Sequence, residues 1–166
     1  MEGNDGIGIV TTPSTLAIAE QIQLKLRETS NLSYIYVKPS GEPKEDDIRN
    51  CAATLSEKKV DVIIALGGGS TIDFTKLSWA LFEHPHLTAK QLASIFQIPP
   101  LKNCRLIAIP TLFGSGSEAS SSATFTKVDE TKKSISVSHD YIPEIVILDE
   151  TLPSRSHAPL VVCGIF

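Results

Sequence analysis

The chain alternates between two patterns: short apolar runs rich in β-branched residues, and longer segments whose apolar positions recur every three or four residues. "GIGIVTT" (residues 6–12) predicts a buried strand ending at Pro13. Ser14 then stands as N-cap of a helix over residues 14–30, with Ile18, Ala19, Ile22 and Leu26 on one face. "LSYIYVK" (32–38) is β-branched and aromatic, a second strand closed by "PSGEP". Residues 44–59 repeat the helical spacing through Ile48, Ala52 and Leu55, and "VDVIIALG" (60–67) is a third strand. A helix follows over 71–84, and residues 85–103 read as irregular or loosely helical up to Pro99 and Pro100. "CRLIAIP" (104–110) is a buried strand, the alternating arms of residues 120–138 around "VDETKK" predict a β-hairpin, and "EIVILD" (144–149) is a last short strand. Strands alternating with helices imply an α/β fold, doubly wound around a mainly parallel sheet.

Size and composition narrow the setting. The 166 residues suffice for one compact domain, with 42% hydrophobic and 20% charged residues, as in a globular protein. A net charge of −4 gives no reason to expect nucleic acid or an anionic membrane as partner. No apolar run reaches the roughly 18 residues of a membrane span. The acidic start is unlike a signal peptide. Cys51, Cys104 and Cys163 are scattered, without a C-x-x-C, and read as reduced thiols of a cytoplasmic protein.

The chemistry concentrates where the third strand meets its helix. Gly67, Gly68 and Gly69 lie at the strand-to-helix junction, where ligands of open α/β sheets bind. Without Cβ atoms they admit close approach to the main chain, and the helix start offers N–H groups and a positive dipole end for a phosphate. Ser70 and Asp73 have the S-x-x-D spacing of a capping box. This is neither a P-loop nor G-x-G-x-x-G, so spacing alone names no nucleotide. A second loop, "LIAIPTLFGSGSE", follows another buried strand with Thr111, Gly114, Ser115, Gly116, Ser117 and Glu118, groups able to bond phosphate, ribose or carboxamide.

Together these loops resemble the cofactor domain of the iron-containing (group III) alcohol dehydrogenases. "GGGSTIDFTK", Gly67 to Lys76, matches that family's GGGS-x-x-D-x-x-K signature in full. "IPTLFGSGSE", Ile109 to Glu118, matches the second signature with Leu112 where a second threonine is usual. "KKSISVSHDYIPEIVILD" is similar to the family's lysine-bearing hairpin, proline and final strand. The resemblance implies a Rossmann-like, dehydroquinate synthase-like cofactor domain over residues 1–150, with 151–166 unaligned where a metal domain would begin. It further implies NAD(P)(H) as cofactor: Gly68, Gly69 and Ser70 at the pyrophosphate, Thr111, Ser115 and Ser120 on the nicotinamide and ribose side, Lys133 touching the cofactor, and Gly67, Leu112 and Asp73 as cofactor-binding positions within the signatures. Read without the resemblance, Lys133 is a solvated hairpin charge.

Departures carry information too. The family often has aspartate after the first strand of this domain, where this chain has Thr12; losing that carboxylate removes the repulsion of a 2′-phosphate and admits NADP(H). The family's Fe²⁺ or Zn²⁺ is held by one aspartate and three histidines in a downstream helical domain, so metal is expected only with that domain. His84, His86, His139 and His157 lack metal-ligand spacing and read as surface residues, and no catalytic residue is assigned. The implied reaction is hydride transfer between NAD(P)(H) and a small alcohol or aldehyde, with wording mildly like the phosphonoacetaldehyde reductase branch. The alternatives are a truncated, non-catalytic nucleotide-binding module and a lyase of the dehydroquinate synthase type. Exposure of a face that the metal domain would cover predicts a homo-oligomer.

Overall fold

The computed structural model describes residues 6–29, 31–127 and 133–152. Its strands are β1 (Gly6–Thr11), β2 (Leu32–Val37), β3 (Val60–Gly67), β4 (Arg105–Pro110), β5 (Ser122–Thr126), β6 (Lys133–Val137) and β7 (Ile145–Val146). Five of them form a central, wholly parallel sheet in the order β2-β1-β3-β4-β7. Strand alternation sends side chains to opposite faces, and each face has its own cover. Ile7 and Ile9 of β1 join Ile64 and Leu66 of β3 beneath α1 (Leu16–Glu28). Val10, Ile63 and Ala65 point the other way, under α2 (Glu45–Glu57) and α3 (Gly69–Glu83). Helices on both faces make the sheet doubly wound, as its strand–helix alternation predicts.

The second apolar run after the glycines is explained by the position of α3. This helix packs against the sheet, α2 and strand β5, and every residue from Thr71 to Leu81 is buried. A helix enclosed on all sides has no need of a polar stripe. Its last turn is fastened by Glu83, whose carboxylate accepts hydrogen bonds from Trp79 Nε1 (2.8 Å) and the main-chain N–H groups of Lys102 (2.8 Å), Asn103 (3.1 Å) and Cys104 (3.0 Å). That carboxylate fixes the loop that leads into β4.

The predicted hairpin is present as β5 antiparallel to β6, a separate two-stranded sheet that buries Ala123 and Phe125; most of its turn lies outside the described residues. Residues 85–103 are irregular apart from the one-turn helix α4 (Ala89–Leu92), whose N-cap Thr88 accepts from Gln91 N–H.

Two expectations change. Ser14 is not a helix cap: residues Pro13–Thr15 form a 3₁₀ turn and α1 starts at Leu16, because the hydroxyls of Thr12 and Thr15 pair at 2.8 Å and hold a tighter turn. The last strand shrinks to Ile145–Val146 at the sheet edge, where Ile145, Val146, Ile147 and Leu148 are all exposed. Cys51 and Cys104 are free and buried, and Cys163 lies outside the described residues. No helix among the described residues is long and apolar enough to cross a membrane.

Candidate functional site

The strand order places a topological switch point between β1 and β3, since the chain leaves β1 toward β2 on one side and later returns to β3 on the other. At the end of β1 the hydroxyls of Thr11 and Thr15 pair at 2.7 Å, and those of Thr12 and Ser14 at 2.9 Å, a polar corner without a carboxylate. Beside it, Lys38 N–H donates to Thr11 O at 2.8 Å and continues the β1–β2 ladder. Lys38 is buried; its ammonium donates to the carbonyls of Pro39 (2.9 Å) and Gly41 (2.7 Å) and lies over the Phe74 ring. Burial lowers its pKa, against the pull of Glu42 and Asp47. Sequence reasoning passed over this cation, because a lysine closing a strand looks like an ordinary surface charge.

Across the switch point, Gly68 is the N-cap of α3 and Gly69 its first residue. The first N–H groups of a helix lack partners one turn back; here those of Thr71 and Ile72 turn to Gly68 O at 2.9 and 3.1 Å, which leaves the Gly69 and Ser70 N–H groups at the helix start. The three glycines serve packing as well as access. A Cβ on Gly69 would lie 2.5 Å from Ser115 Oγ, and one on Gly68 would lie 3.2 Å from Leu112 Cδ1. Thr111 N–H donates to Gly67 O at 3.0 Å, which ties the two loops at their roots. Gly67, Gly68, Gly69, Thr111, Leu112 and Ser115 are thus brought together where the two loops meet.

The capping box is not formed. Ser70 Oγ donates instead to Gly41 O at 3.1 Å, reaching the turn after β2. Asp73 faces the hairpin, and its Oδ2 accepts from Thr124 N–H and Thr124 Oγ1, both at 3.0 Å. With α3 already starting at Gly69, both side chains lie past the cap position and turn to neighbouring elements. Asp73 therefore braces the helix against the hairpin through its Oδ2. Lys133 is exposed and pairs with Glu42 at 3.2 Å, on the turn that also receives Ser70.

The residue missed at this site is Lys76, the last of the first signature. It is wholly buried and its Nζ donates to Ser117 O (2.6 Å), Ser120 O (2.7 Å), Ser122 O (3.2 Å) and Ser120 Oγ (3.2 Å). Burial draws its pKa down to about 8, while Asp73 and Glu118 pull it back up. Ser120 is half-buried and its hydroxyl belongs to this contact.

A metal finds no such place. Among the described residues no group of three or more His, Cys, Asp or Glu side chains is arranged to hold an ion. His84 bonds Pro100 O at 3.0 Å, His139 stacks on Phe96, and His86 is exposed. The described residues therefore do not fit Fe²⁺ or Zn²⁺.

Comparison with known proteins agrees with this geometry. The family model described as iron-containing alcohol dehydrogenase matches residues 2–150. The chain belongs to the iron-containing alcohol dehydrogenase family. It is 37% identical over 118 residues to an alcohol dehydrogenase of Thermococcus barophilus, covering 68% of this chain and 30% of the relative. It is 29% identical over 119 residues to an NADPH-dependent butanol dehydrogenase of Clostridium saccharobutylicum, covering 69% of this chain and 31% of that one. The iron-containing alcohol dehydrogenase structure from Thermococcus thioreducens superposes with a TM-score of 0.85 at 26% identity, over 94% of this chain and 43% of that one. The chain therefore spans less than a third of the length of these curated relatives, and 16% of a bifunctional aldehyde-alcohol dehydrogenase from Escherichia coli. As a member of the family, it carries the family's α/β fold at the switch point where both signature loops meet.

Proposed function

We propose that this chain is the NAD(P)(H)-binding part of an oxidoreductase that interconverts a small alcohol and its aldehyde. The observation that carries this reading is the N-terminus of α3, opened by Gly68 and Gly69 at the switch point and walled by Leu112 and Ser115. Free helix N–H groups and the dipole would receive the pyrophosphate, and Thr111, Ser115 and Ser120 would line the nicotinamide side. Bound there, the nicotinamide supplies or accepts a hydride; the chain's own part is to bind and orient it. Lys133 would contribute only by leaving Glu42.

The reading extends to a preference for NADP(H). The corner at Thr12 lacks a carboxylate to repel a 2′-phosphate. A similar protein's name, NADPH-dependent butanol dehydrogenase, points the same way. Calorimetric titration should give NADPH an affinity about tenfold above NADH, and T12D should reverse that order. Absence of binding by either nucleotide would end the proposal.

The exposed run from Ile145 to Leu148 supports the expectation of a homo-oligomer, since an apolar sheet edge invites pairing. Sedimentation should show mass rising with concentration, and a monomer at every concentration would refute this.

A further inference from the structure

Lys76 leaves the second turn of α3 and ends among four neutral oxygens lying 41 to 46 residues further along the chain. Three of the four are main-chain carbonyls, so the contact reads the path of the segment from Ser117 to Ser122 and not its side chains. The shortest bond, 2.6 Å, goes to Ser117, whose hydroxyl would lie 3.0 Å from a Cβ placed on Gly69. Ser117 N–H in turn donates to Ser115 Oγ at 3.3 Å. A continuous chain of contacts therefore runs from Lys76 through Ser117 and Ser115 to the glycine loop.

We propose that Lys76 is a positioning residue of the nucleotide site: its side-chain nitrogen holds the segment 115–122 in the shape that faces Gly68 and Gly69. The nucleotide half of this rests on the function proposed above; the loop-ordering half does not. The segment lies near the surface, with Ala119 exposed and Ser120 half-buried. Carbonyls deprived of their donor can therefore turn to water by opening the loop, without unfolding the sheet. Replacing the amine by an apolar group also removes the burden of burying a charge, which offsets part of the lost bonding. A residue that merely supported the fold would lower global stability; a positioning residue changes the loop and leaves the sheet alone.

K76M keeps the length of the side chain without the donor. Hydrogen exchange in peptides spanning 113–122 should speed up at least tenfold in K76M, while β3 keeps its protection and the urea midpoint moves little. NADPH affinity should fall at least tenfold in the same variant. K76A with n-propylammonium added should recover loop protection, whereas n-propanol should not, because it supplies only a single donor. Unchanged exchange in 113–122, or uniform loss of protection in β3 and the loop alike, would overturn the proposal. Should K76M not fold, the K76A rescue carries the same decision. Loop exchange that responds as expected in a chain that never binds NADPH would overturn the nucleotide half alone.

Discussion

E83A should lose about 3 kcal/mol of stability, a fall of roughly 6–12 °C in Tm for a chain of this size. One carboxylate serves four donors there: the Trp79 indole and three consecutive main-chain N–H groups from Lys102 to Cys104. Charge-assisted bonds of this kind contribute roughly 1.5–3 kcal/mol each, but the site is half-open, so water replaces part of what is lost. E83Q keeps one acceptor oxygen and puts a donor where the other stood, so it should lose about half as much. Urea denaturation at pH 7 would measure both, and an E83A chain within about 0.5 kcal/mol of the parent would show that the loop into β4 holds itself.

Stability should rise from pH 8 to about 9 and then fall steeply. Lys76 binds its proton less tightly in the folded chain, about 8 against an ordinary 10.5. Between those values the unfolded chain holds that proton and the folded chain does not, so stability increases with pH. Burial acts with the opposite sign on Cys51 and Cys104, from 9.0 to about 12, and on Tyr36 and Tyr141, from 10.0 to about 12. There the folded chain holds the protons, so stability falls as pH climbs past 9 for the thiols and past 10 for the phenols. Each group contributes at most about 1.4 kcal/mol per pH unit, and half-buried Tyr36 less than the others. From pH 8 to 9 Lys76 leads, helped by Lys38, whose pKa burial also lowers; from about 9 the two thiols outweigh it, and beyond 10 the phenols join them. Denaturant midpoints from pH 7.5 to 11 would trace the maximum. K76M should flatten the rising limb and C51A should soften the falling one, and a profile that declines steadily from pH 8 would contradict the assignment.

The elements were readable because each rests on local pattern: β-branched runs for the five strands, three-to-four spacing for α1 and α2, turn residues between the hairpin arms. The place of the candidate site follows from the same patterns, since glycines after a strand mark the ligand edge of such a sheet. What was not readable depended on partners distant in sequence. Ser70 and Asp73 have the spacing of a cap, yet they bond Gly41 and Thr124, 29 and 51 residues away. Lys76 looks like one more helix lysine until the fold brings three carbonyls to it. Its only signal lay in the surroundings: a lysine inside an otherwise apolar helical run has to find oxygen somewhere. The final strand misled for the converse reason, because four successive apolar residues suggest burial whether or not anything covers them.

The cradle around Lys76 also sets what mutation can do to this loop over evolutionary time. Main-chain carbonyls are present whatever residue follows them, so Ser117 and Ser122 can be exchanged for other side chains without removing an acceptor. Drift along that stretch is buffered at those positions, and lineages could retune the wall of the site while its path stays the same. Position 76 has no such freedom, since any change there to a side chain without a donor withdraws it from every acceptor at once.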